Sequence, residues 1–381
     1  MSIATRLMGG VAKGVARGIR RGAGKAAGAA LSLHDRRVAS AAAARATRRA
    51  LRGTASVAAI AAAASPIAIA AFVWHENESL VTTRIDVPID GLPAELEGFR
   101  IAHLSDLHDA AFGRGNSRLL SLVESLRPDA IAITGDIMHS EGTRNALALA
   151  RGCAAIAPTM FVTGNHESYT TRSVELIRRM RDAGVAILDG VVADGADLSY
   201  PASDADAFSR VAFAGIPDLG FAAWDERADP AALVTSELAG LAGSAAWPAG
   251  DDGRILVLLA HRPELVMSYA DPRLGIDLVL AGHAHGGQWR VPGIGGLYAP
   301  SQGVLPRYDA GLYRVGGTRM VVSRGLGNSG FPLRLNNRPE VVLVTLRRGG
   351  GGSGAVEVPA EGLAGRVADR VLGASGIFEL D

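Results

Sequence analysis

Several residue types are scarce in this sequence, and each shortage excludes a class of structure. The 381 residues contain one cysteine, Cys153, which excludes an internal disulfide and leaves the redox compartment open. Acidic residues are almost missing from the first 54 positions, where Asp35 is the single acid among twelve arginines and lysines. The rest of the chain carries 27 basic and 37 acidic residues. The formal net charge of +1 therefore conceals a basic arm followed by an acidic body.

The basic arm, residues 1–54, is also poor in aromatic residues. Its charge suits anionic lipid or nucleic acid, and one hypothesis makes the arm itself the functional part. The low aromatic content and the segment that follows argue against nucleic acid. We therefore expect no nucleic-acid partner and treat the arm as a flexible or membrane-surface segment.

Charge is absent from residues 55–74, a stretch of twenty residues. This is about the length that crosses a bilayer as a helix. Pro66 is tolerated in membrane helices, and Trp74 suits the interface at the end of the span. An Ala-rich buried helix is the alternative, but the basic flank and the lack of a polar face favour a transmembrane helix.

The distribution of positive charge predicts the orientation of this span. The basic arm should stay in the cytoplasm and the residues after Glu76 should be extracytoplasmic, in a protein of the cell membrane. The segment TRRALR at 47–52 resembles a twin-arginine export signal, although Arg52 stands where an apolar residue is usual. Cleavage near residues 68–70 is a second possibility, and the long arm favours a retained anchor.

From about Thr82 short apolar runs alternate with helical patterns, which is typical of an α/β domain. The candidate strands are residues 99–105, 130–134, 160–163, 185–188, 211–215, 255–260, 276–281, 319–323 and 340–346. Helical periodicity covers residues 117–126 and 173–184. The last strands lie in a region rich in glycine, proline and aromatic residues, which predicts hairpins that complete a second sheet.

These boundaries predict four parts in the chain. A basic cytoplasmic arm (1–54) and a transmembrane helix (55–74) precede the α/β domain (75–347). A Gly-rich linker and C-terminal tail follow at 348–381, with the pattern of one amphipathic helix at 362–373.

Five predicted strands run directly into residues whose side chains bind metals. Those residues are Asp106 and His108, Asp136, Asn165 and His166, His261, and His283 and His285. In open α/β sheets the loops beyond the carboxyl ends of the strands line one crevice. We therefore expect these side chains to meet in one place.

The set of side chains is typical of a dinuclear metal site. Carboxylate, imidazole and amide groups suit divalent ions such as Mn, Fe or Zn, and there are too many donors for one tetrahedral ion. In Asp-x-His and His-x-His the two side chains point the same way if the segment is extended, so each pair would approach a shared site. Neighbouring glycines, Gly282 and Gly286 among them, would leave room for the ligands and a substrate.

These ordered motifs resemble the calcineurin-like metallophosphoesterase superfamily. The matching elements are DLH at 106–108, GD at 135–136, GNHE at 164–167, His261 in HRPE, and GHAH at 282–285. Five motifs in order with compatible spacing are specific, whereas each alone is weak. The resemblance covers roughly residues 85–347. Segments at 286–288, 323–334 and 338–340 are similar to the bacterial membrane-associated branch of the superfamily.

The resemblance implies two facing mixed β-sheets flanked by helices, and a role for each motif residue. The implied ligands are Asp106, His108 and His285 for one metal, Asn165, His261 and His283 for the other, and Asp136 between both. His166 would not bind metal; it would stand beside the leaving oxygen as a general acid or charge stabiliser. His166 and Asp136 are the catalytic candidates.

The implied activity is hydrolysis of a phosphomonoester, phosphodiester or pyrophosphate by metal-activated hydroxide. The same branch includes enzymes that cleave nucleotide-linked lipid precursors, so a lipid- or nucleotide-linked substrate is one candidate. The alternative is a non-catalytic metal-binding receptor or scaffold at the membrane. Loss of Asp136, Asn165 or His166 would be typical of such a protein, and all three are present. Metal identity, substrate and oligomeric state stay open.

Four other residues of the domain have two interpretations each. Arg324 and Arg334 could contact substrate phosphate or brace loops, and Arg324 is the substrate-binding candidate. His103 and His139 could be structural or could support the metal ligands from behind. Glu167 could orient the loop backbone.

Overall fold

The computed structural model describes residues 68–140, 142–168, 170–198, 205–218, 229–248, 252–349 and 356–357, together with the helical residues Ser40 and Arg45. Most of the basic arm, most of the predicted span 55–74 and the predicted helix 362–373 lie outside the described residues. The end of that span belongs to a helical segment, 68–78. In the described part of the chain no helix has both the length and the apolar character that a bilayer crossing requires.

The α/β domain belongs to the compact unit Ala71–Asp381. Its strands within the described ranges are β1 (Val81–Ile89), β2 (Arg100–Leu104), β3 (Ala130–Thr134), β4 (Thr159–Val162), β5 (Ala186–Ile187), β6 (Val191–Asp194), β7 (Val211–Gly215), β8 (Ile255–Leu259), β9 (Leu278–Ala281), β10 (Arg290–Val291), β11 (Gly295–Gly296), β12 (Tyr298–Ala299), β13 (Gly303–Val304), β14 (Gly311–Val315), β15 (Thr318–Val322), β16 (Glu340–Arg348) and β17 (Val356–Glu357).

Helices lie between these strands. Beyond the segment 68–78, the described α-helices are α1 (Ser117–Ser125), α2 (Arg144–Ala154), α3 (Asn165–Ser168), α4 (Arg172–Arg181), α5 (Ala205–Phe208), α6 (Pro230–Ala242) and α7 (Val266–Tyr269). Short 3-10 turns occur at Ala94–Leu96, Arg114–Asn116, Gly195–Leu198, Pro263–Leu265 and His285–Gly287.

The strands form two mixed sheets. In the first sheet the order is β1-β16-β2-β3-β4-β5, and β2, β3, β4 and β5 run parallel to one another. In the second sheet the order is β17-β14-β15-β9-β8-β7-β6, with β15, β9, β8 and β7 parallel. Two small hairpins, β10–β11 and β12–β13, follow β9. Both large sheets therefore have a parallel centre, where consecutive strands end on the same side.

An apolar layer joins the inner faces of the two sheets. It contains Ile101 and Met160 from the first sheet and Phe213, Val257 and Leu280 from the second, all fully buried. Their neighbours along each strand point to the opposite face, because side chains alternate along a strand. Burying each such apolar side chain contributes about 1.5–3 kcal/mol relative to leaving it in water.

The outer face of each sheet is covered by helices. The first sheet packs against α1, α2 and α4 through residues such as Leu119, Leu149 and Met180. The second packs against α6 and α7 through residues such as Leu238 and Val266. Because both faces of both sheets are apolar, their central strands are nearly continuous apolar runs, as the sequence indicated.

The predicted fold of two mixed sheets flanked by helices is confirmed, and each predicted strand corresponds to an observed one within about two residues. The prediction that the last strand completes the second sheet is wrong, because β16 pairs with β1 and β2 in the first sheet. The observed β17, which pairs in parallel with β14, falls in the region predicted as linker and tail. Helices α2 and α6 were not predicted. Alanines and other small residues weaken the apolar periodicity of α6, whereas α2 has a periodic buried face at Ala146, Leu149, Ala150 and Cys153 that the prediction overlooked.

Candidate metal centre

Loops from both sheets bring the predicted site residues together at the carboxyl ends of their parallel strands. Two groups of side chains share Asp136, and within each group one potential ligand atom per residue lies within 4.8 Å of the others. The first ligand group is Asp106, His108, Asp136 and His285; the second ligand group is Asp136, His261 and His283. All of these side chains are buried.

The backbone at these residues is left-handed rather than extended. Positive φ angles occur at Asp106 (54°), His108 (47°), Asp136 (52°), His283 (62°) and His285 (49°). A non-glycine residue in this region costs on the order of 1 kcal/mol, and such residues cluster at functional sites. The extended geometry considered for Asp-x-His and His-x-His is therefore not the one observed. In the His-x-His motif, His285 belongs to the first ligand group and His283 to the second.

Glycine is required where these turns touch one another. A Cβ on Gly282 would collide with Ser105 Oγ and Asp106 Oδ2, and a Cβ on Gly135 would collide with the backbone of Gly164. Gly135 also has a φ of +83°, which side-chain-bearing residues rarely adopt. These glycines allow the backbone turns to pack directly against the carboxylates and against each other.

In the first ligand group two imidazole nitrogens face each other. His108 Nε2 lies 3.1 Å from His285 Nε2, and His285 Nε2 lies 3.5 Å from Asp106 Oδ1. Burial lowers the pKa of His108 to about 3 and, with the neighbouring His108 and Arg334, lowers that of His285 well below its usual value. Both rings are therefore neutral and have lone pairs available, which fits a divalent cation between imidazole and carboxylate.

In the second ligand group a backbone carbonyl determines which imidazole nitrogen is free. His261 Nδ1 lies 2.7 Å from the oxygen of Thr134. A carbonyl oxygen can only accept, so Nδ1 carries the hydrogen and Nε2 faces Asp136 Oδ2 at 3.3 Å. The His283 ring lies 4.8 Å from the His261 ring. This is the geometry expected for metal ligation through Nε2 of His261 with its tautomer held from behind.

The two acids and His261 influence one another's protonation. Burial opposes charge on His261, but the adjacent Asp136 carboxylate outweighs it and raises the His261 pKa to about 10. Burial likewise opposes charge on Asp136, yet the nearby histidines hold its pKa well below the usual range. Burial raises the pKa of Asp106 to about 6. Without a metal, the second ligand group thus holds a proton that a cation would replace.

Behind His285 lies Arg334, which is fully buried. Its guanidinium donates to the carbonyl oxygens of Gly327, Arg324 and Asn337, and Nη2 lies 3.5 Å from His285 Nδ1. Asn337 in turn donates to the carbonyl oxygen of His285 at 2.7 Å. Arg334 therefore braces a loop and a ligand. No pattern in the sequence indicated the role of Asn337.

Glu167 joins the loops after β3 and β4. Its buried carboxylate accepts hydrogen bonds from the backbone N–H groups of Asp136 (2.8 Å), Ile137 (3.1 Å), Met138 (3.2 Å) and Gly164 (2.7 Å). Burial raises its pKa to about 8, and the charge of Asp136 adds to this, while these backbone donors oppose it. The contacts match the loop-orienting interpretation, since they hold the backbone on both sides of Asp136.

Asn165 and His166 lie beside the shared Asp136. Together with His283 and His285 they line a cavity of about 360 Å³. The backbone N–H of His166 donates to Asp136 Oδ1 at 2.8 Å, and burial lowers the pKa of its half-buried imidazole. An imidazole next to the ligand groups yet open to a cavity is placed to contact a bound molecule.

His139 is exposed and lies next to His166. The two rings stack with centroids 5.3 Å apart, and His139 lies 5.6 Å from the ring of His108. These three histidines form a further group that could hold an ion. His103, by contrast, is buried within β2 and contacts Thr134 Oγ1 at 2.8 Å, which is a structural role.

The Arg324 side chain contacts Glu340 and does not line the cavity beside Asp136. Its Nε lies 2.7 Å from Glu340 Oε2, and its side chain lines a separate cavity of about 390 Å³ that also includes Thr83 and Arg338. The contact of Arg324 with substrate phosphate stays a prediction.

Residues 99–287 match the family model described as "Calcineurin-like phosphoesterase". A protein of Danio rerio named "Transmembrane protein with metallophosphoesterase domain" is 29% identical over 271 residues, which cover 69% of this chain and 56% of that protein. The chain thus spans little more than half the length of that relative.

Two bacterial relatives are covered more completely. "Uncharacterized metallophosphoesterase YkuE" of Bacillus subtilis (strain 168) is 26% identical over 283 residues, with 71% of this chain and 87% of the relative covered. "Phosphodiesterase YaeI" of Escherichia coli (strain K12) is 29% identical over 256 residues, with 65% and 82% covered. The family model begins just before β2 and ends just after His285, so it contains every residue of both ligand groups.

Proposed function

Because this chain belongs to the calcineurin-like metallophosphoesterase family, we propose that it is a phosphoesterase that uses two divalent metal ions. The observation that carries the proposal is the pair of ligand groups that share one carboxylate, Asp136. A shared carboxylate lets two cations sit a few ångströms apart, as two-metal phosphoesterases require. Mn, Fe or Zn suit these donors.

The two ligand groups support one assignment of the ions. Asp106, His108 and His285 would hold one ion, His261 and His283 the other, and Asp136 both. Asn165, which lines the adjoining cavity, would complete the second set. When bound, such ions supply Lewis acidity that activates water and neutralises phosphate charge. The protein contributes imidazole ligands and a preorganised pair of carboxylates, held by turns whose strain the packed sheets sustain.

His166 is the residue placed to act on the leaving group. Its ring lines the cavity, while its backbone N–H is tied to Asp136 Oδ1. A phosphate ester bound next to it brings negative charge, which favours the protonated imidazole. In that form the ring donates a proton to the departing oxygen, a contribution of about 10²–10⁴-fold in rate.

Hydrolysis by the full chain tests this function. The protein is stripped of metal, resupplied with Mn, Zn, Fe or Mg, and assayed on a bis-aryl phosphate and an aryl monophosphate. We expect metal-dependent turnover that falls by about 10²-fold or more in His166→Ala. His75→Ala, which lies outside the cavity, is the matched control. Absence of turnover in a folded, metal-loaded protein would favour the non-catalytic scaffold.

We also propose that residues 55–74 anchor the chain in the cell membrane, with the arm in the cytoplasm and the catalytic domain extracytoplasmic. The uncharged segment after a basic arm supports this, and the Danio rerio relative is named a transmembrane protein. Protease added outside right-side-out vesicles should then digest the domain and spare the arm. Protection of the domain would reverse the orientation.

A further inference from the structure

Exposed apolar side chains are concentrated around the hairpins that follow β9. Six of the twelve large hydrophobic residues exposed in the described ranges lie between residues 289 and 331. They are Trp289, Val291, Ile294, Tyr298, Val304 and Phe331. Scattered single exposures are ordinary on a protein surface, but a local concentration indicates a binding surface.

Three of these residues form an aromatic cluster at the mouth of the cavity. The ring centroids of Trp289 and Phe331 are 5.3 Å apart, and those of Tyr298 and Phe331 are 6.3 Å apart. Tyr298 and Phe331 line the same 360 Å³ cavity as Asp136 and His166. The apolar surface is thus continuous with the candidate metal centre. We call Trp289, Tyr298 and Phe331 the aromatic rim.

The aromatic rim is held in place by hydrogen bonds to the backbone. Trp289 Nε1 donates to the carbonyl oxygen of Leu333 at 3.2 Å. Gln288 Nε2 donates to the carbonyl oxygens of Phe331 (3.1 Å) and Leu333 (3.2 Å). These bonds tie the segment carrying Phe331 to the segment carrying Trp289. A preorganised apolar surface binds with less loss of conformational freedom than a mobile one.

The outer wall of the cavity carries no positive charge in the described part of the chain. Beyond the metal-centre residues, its lining consists of Tyr298, Pro300, Ser329, Gly330 and Phe331. A second phosphate next to the reacting one would call for arginine or lysine there. This wall suits an apolar group instead.

We propose that the aromatic rim is a subsite for an apolar group carried by the leaving alcohol of the phosphate ester. This inference rests on the proposed phosphoesterase function and narrows its substrate class. We assign the apolar group to the leaving alcohol because His166, the proposed proton donor to the leaving oxygen, lies next to the aromatic rim. Its Nε2 is 3.4 Å from the hydroxyl of Ser329, in the loop that carries Phe331. The cavity is near the small end of the roughly 300–1,000 Å³ typical of ligand sites. It therefore accommodates the phosphate and the first few carbons, while a longer group extends over the exposed hairpins.

The test measures binding of phosphonates that cannot be hydrolysed. The metal-loaded full chain is titrated by calorimetry with methyl-, butyl-, hexyl- and benzylphosphonate. Each buried methylene strengthens binding by up to about fourfold, so hexylphosphonate should bind at least tenfold more tightly than methylphosphonate. The benzyl arm separates an aromatic group, which would bind more tightly than butyl, from an alkyl chain, which would follow the length series.

Variants of the aromatic rim test whether it causes the dependence of affinity on chain length. Phe331→Ala should remove most of the dependence on chain length and leave methylphosphonate affinity within about twofold, because Phe331 lies beyond the ligand groups. Phe331→Leu, which keeps an apolar side chain, should retain most of it. Val174→Ala removes a more exposed aliphatic side chain on α4 and should change nothing. Melting temperature checks that each variant is folded.

Three results would overturn the inference. They are equal affinity across the series in the wild type, no binding of any phosphonate, and a length dependence that Phe331→Ala leaves intact. Hydrolysis of the aryl esters, measured in parallel, separates the two proposals. Turnover without chain-length dependence removes the subsite alone, whereas chain-length dependence without turnover removes the phosphoesterase and keeps an apolar binding site.

Discussion

The two ligand groups use the same kinds of side chain but keep their imidazoles in place by opposite means. In the first, a guanidinium donor, Arg334, lies behind His285. In the second, a carbonyl acceptor, the oxygen of Thr134, lies behind His261. The partner behind each ring helps to decide which state of that ring is stable.

The consequence is a difference in protonation between the groups. Burial, together with the neighbouring His108 and Arg334, keeps His285 neutral, so the ring has one lone pair to offer a cation and no extra proton to lose. His261 has a carbonyl behind it and Asp136 in front, and its pKa rises to about 10. The first ligand group is therefore ready for a cation, whereas the second exchanges a proton for one. Two sites with similar ligands can thus differ in whether metal binding releases a proton.

Replacing the residue common to both groups should have the largest effect. Asp136→Asn removes the bridging charge, so we expect kcat/KM to fall by more than about 10³-fold and bound metal to drop below two ions per chain. Steady-state kinetics and metal analysis by mass spectrometry measure the two effects.

Asp129→Asn is the matched control, since Asp129 precedes the same strand, β3, that Asp136 follows. It should leave both quantities near the wild-type values. An Asp136→Asn variant that is fully active with two ions would contradict the shared carboxylate.

Glu167→Gln should affect both ligand groups together. Glutamine offers one acceptor oxygen where the carboxylate uses two for four backbone donors. We expect kcat to fall by about 10- to 100-fold with both ions still bound, because the loops on either side of Asp136 lose their alignment. Glu175→Gln, an exposed change on α4, controls for the substitution itself. Unchanged kcat would show that the clamp is not needed.

Removing the brace behind His285 should separate the two groups. Arg334→Met leaves several buried carbonyl oxygens without donors, so we expect a loss of about 2–4 kcal/mol in the free energy of unfolding. Metal affinity should fall by about tenfold at one of two calorimetric steps only.

Arg319→Met replaces another buried arginine, in β15. It measures how much stability is lost when any buried arginine is removed. If both binding steps weakened equally in Arg334→Met, the assignment of this brace to the first ligand group would be wrong.

Changing the pH should produce the smallest difference. The folded, metal-free protein holds a proton near His261 up to about pH 10, and metal binding must release it. Affinity at the second ligand group should therefore rise with pH, by up to about tenfold between pH 7 and 8.

The first ligand group should show little change in that interval, because the pKa of His108 is about 3 and that of Asp106 about 6. Calorimetry in buffers of different ionisation enthalpy counts the released proton. His261→Ala should abolish the pH-dependent step, and a pH dependence that survived this change would contradict the difference between the groups.

Much of the fold and of the candidate site could be predicted from the sequence. Strands β3 and β8 are short, nearly continuous apolar runs followed directly by polar residues. Both the strand and the site residues after it can therefore be recognised in the sequence. Helix α6 was missed because its alanines give little hydrophobic contrast, whereas α2 has a periodic buried face that the prediction overlooked. The membrane anchor and its orientation stay predictions.

The order of strands and polar residues along the chain was enough to predict which side chains gather at the edge of the two sheets, because parallel strands deliver whatever follows them to that edge. The division of these side chains between the two ligand groups depends on tertiary contacts. His283 and His285 separate into different groups because left-handed turns replace the extended backbone, and no hydrophobic period records such turns. The partners behind them, Arg334 and Thr134, and the contact between Trp289 and Phe331 arise from chain segments far apart in sequence. Loop closure over the sheets brings those segments together, and it leaves no local pattern from which the contacts could be read.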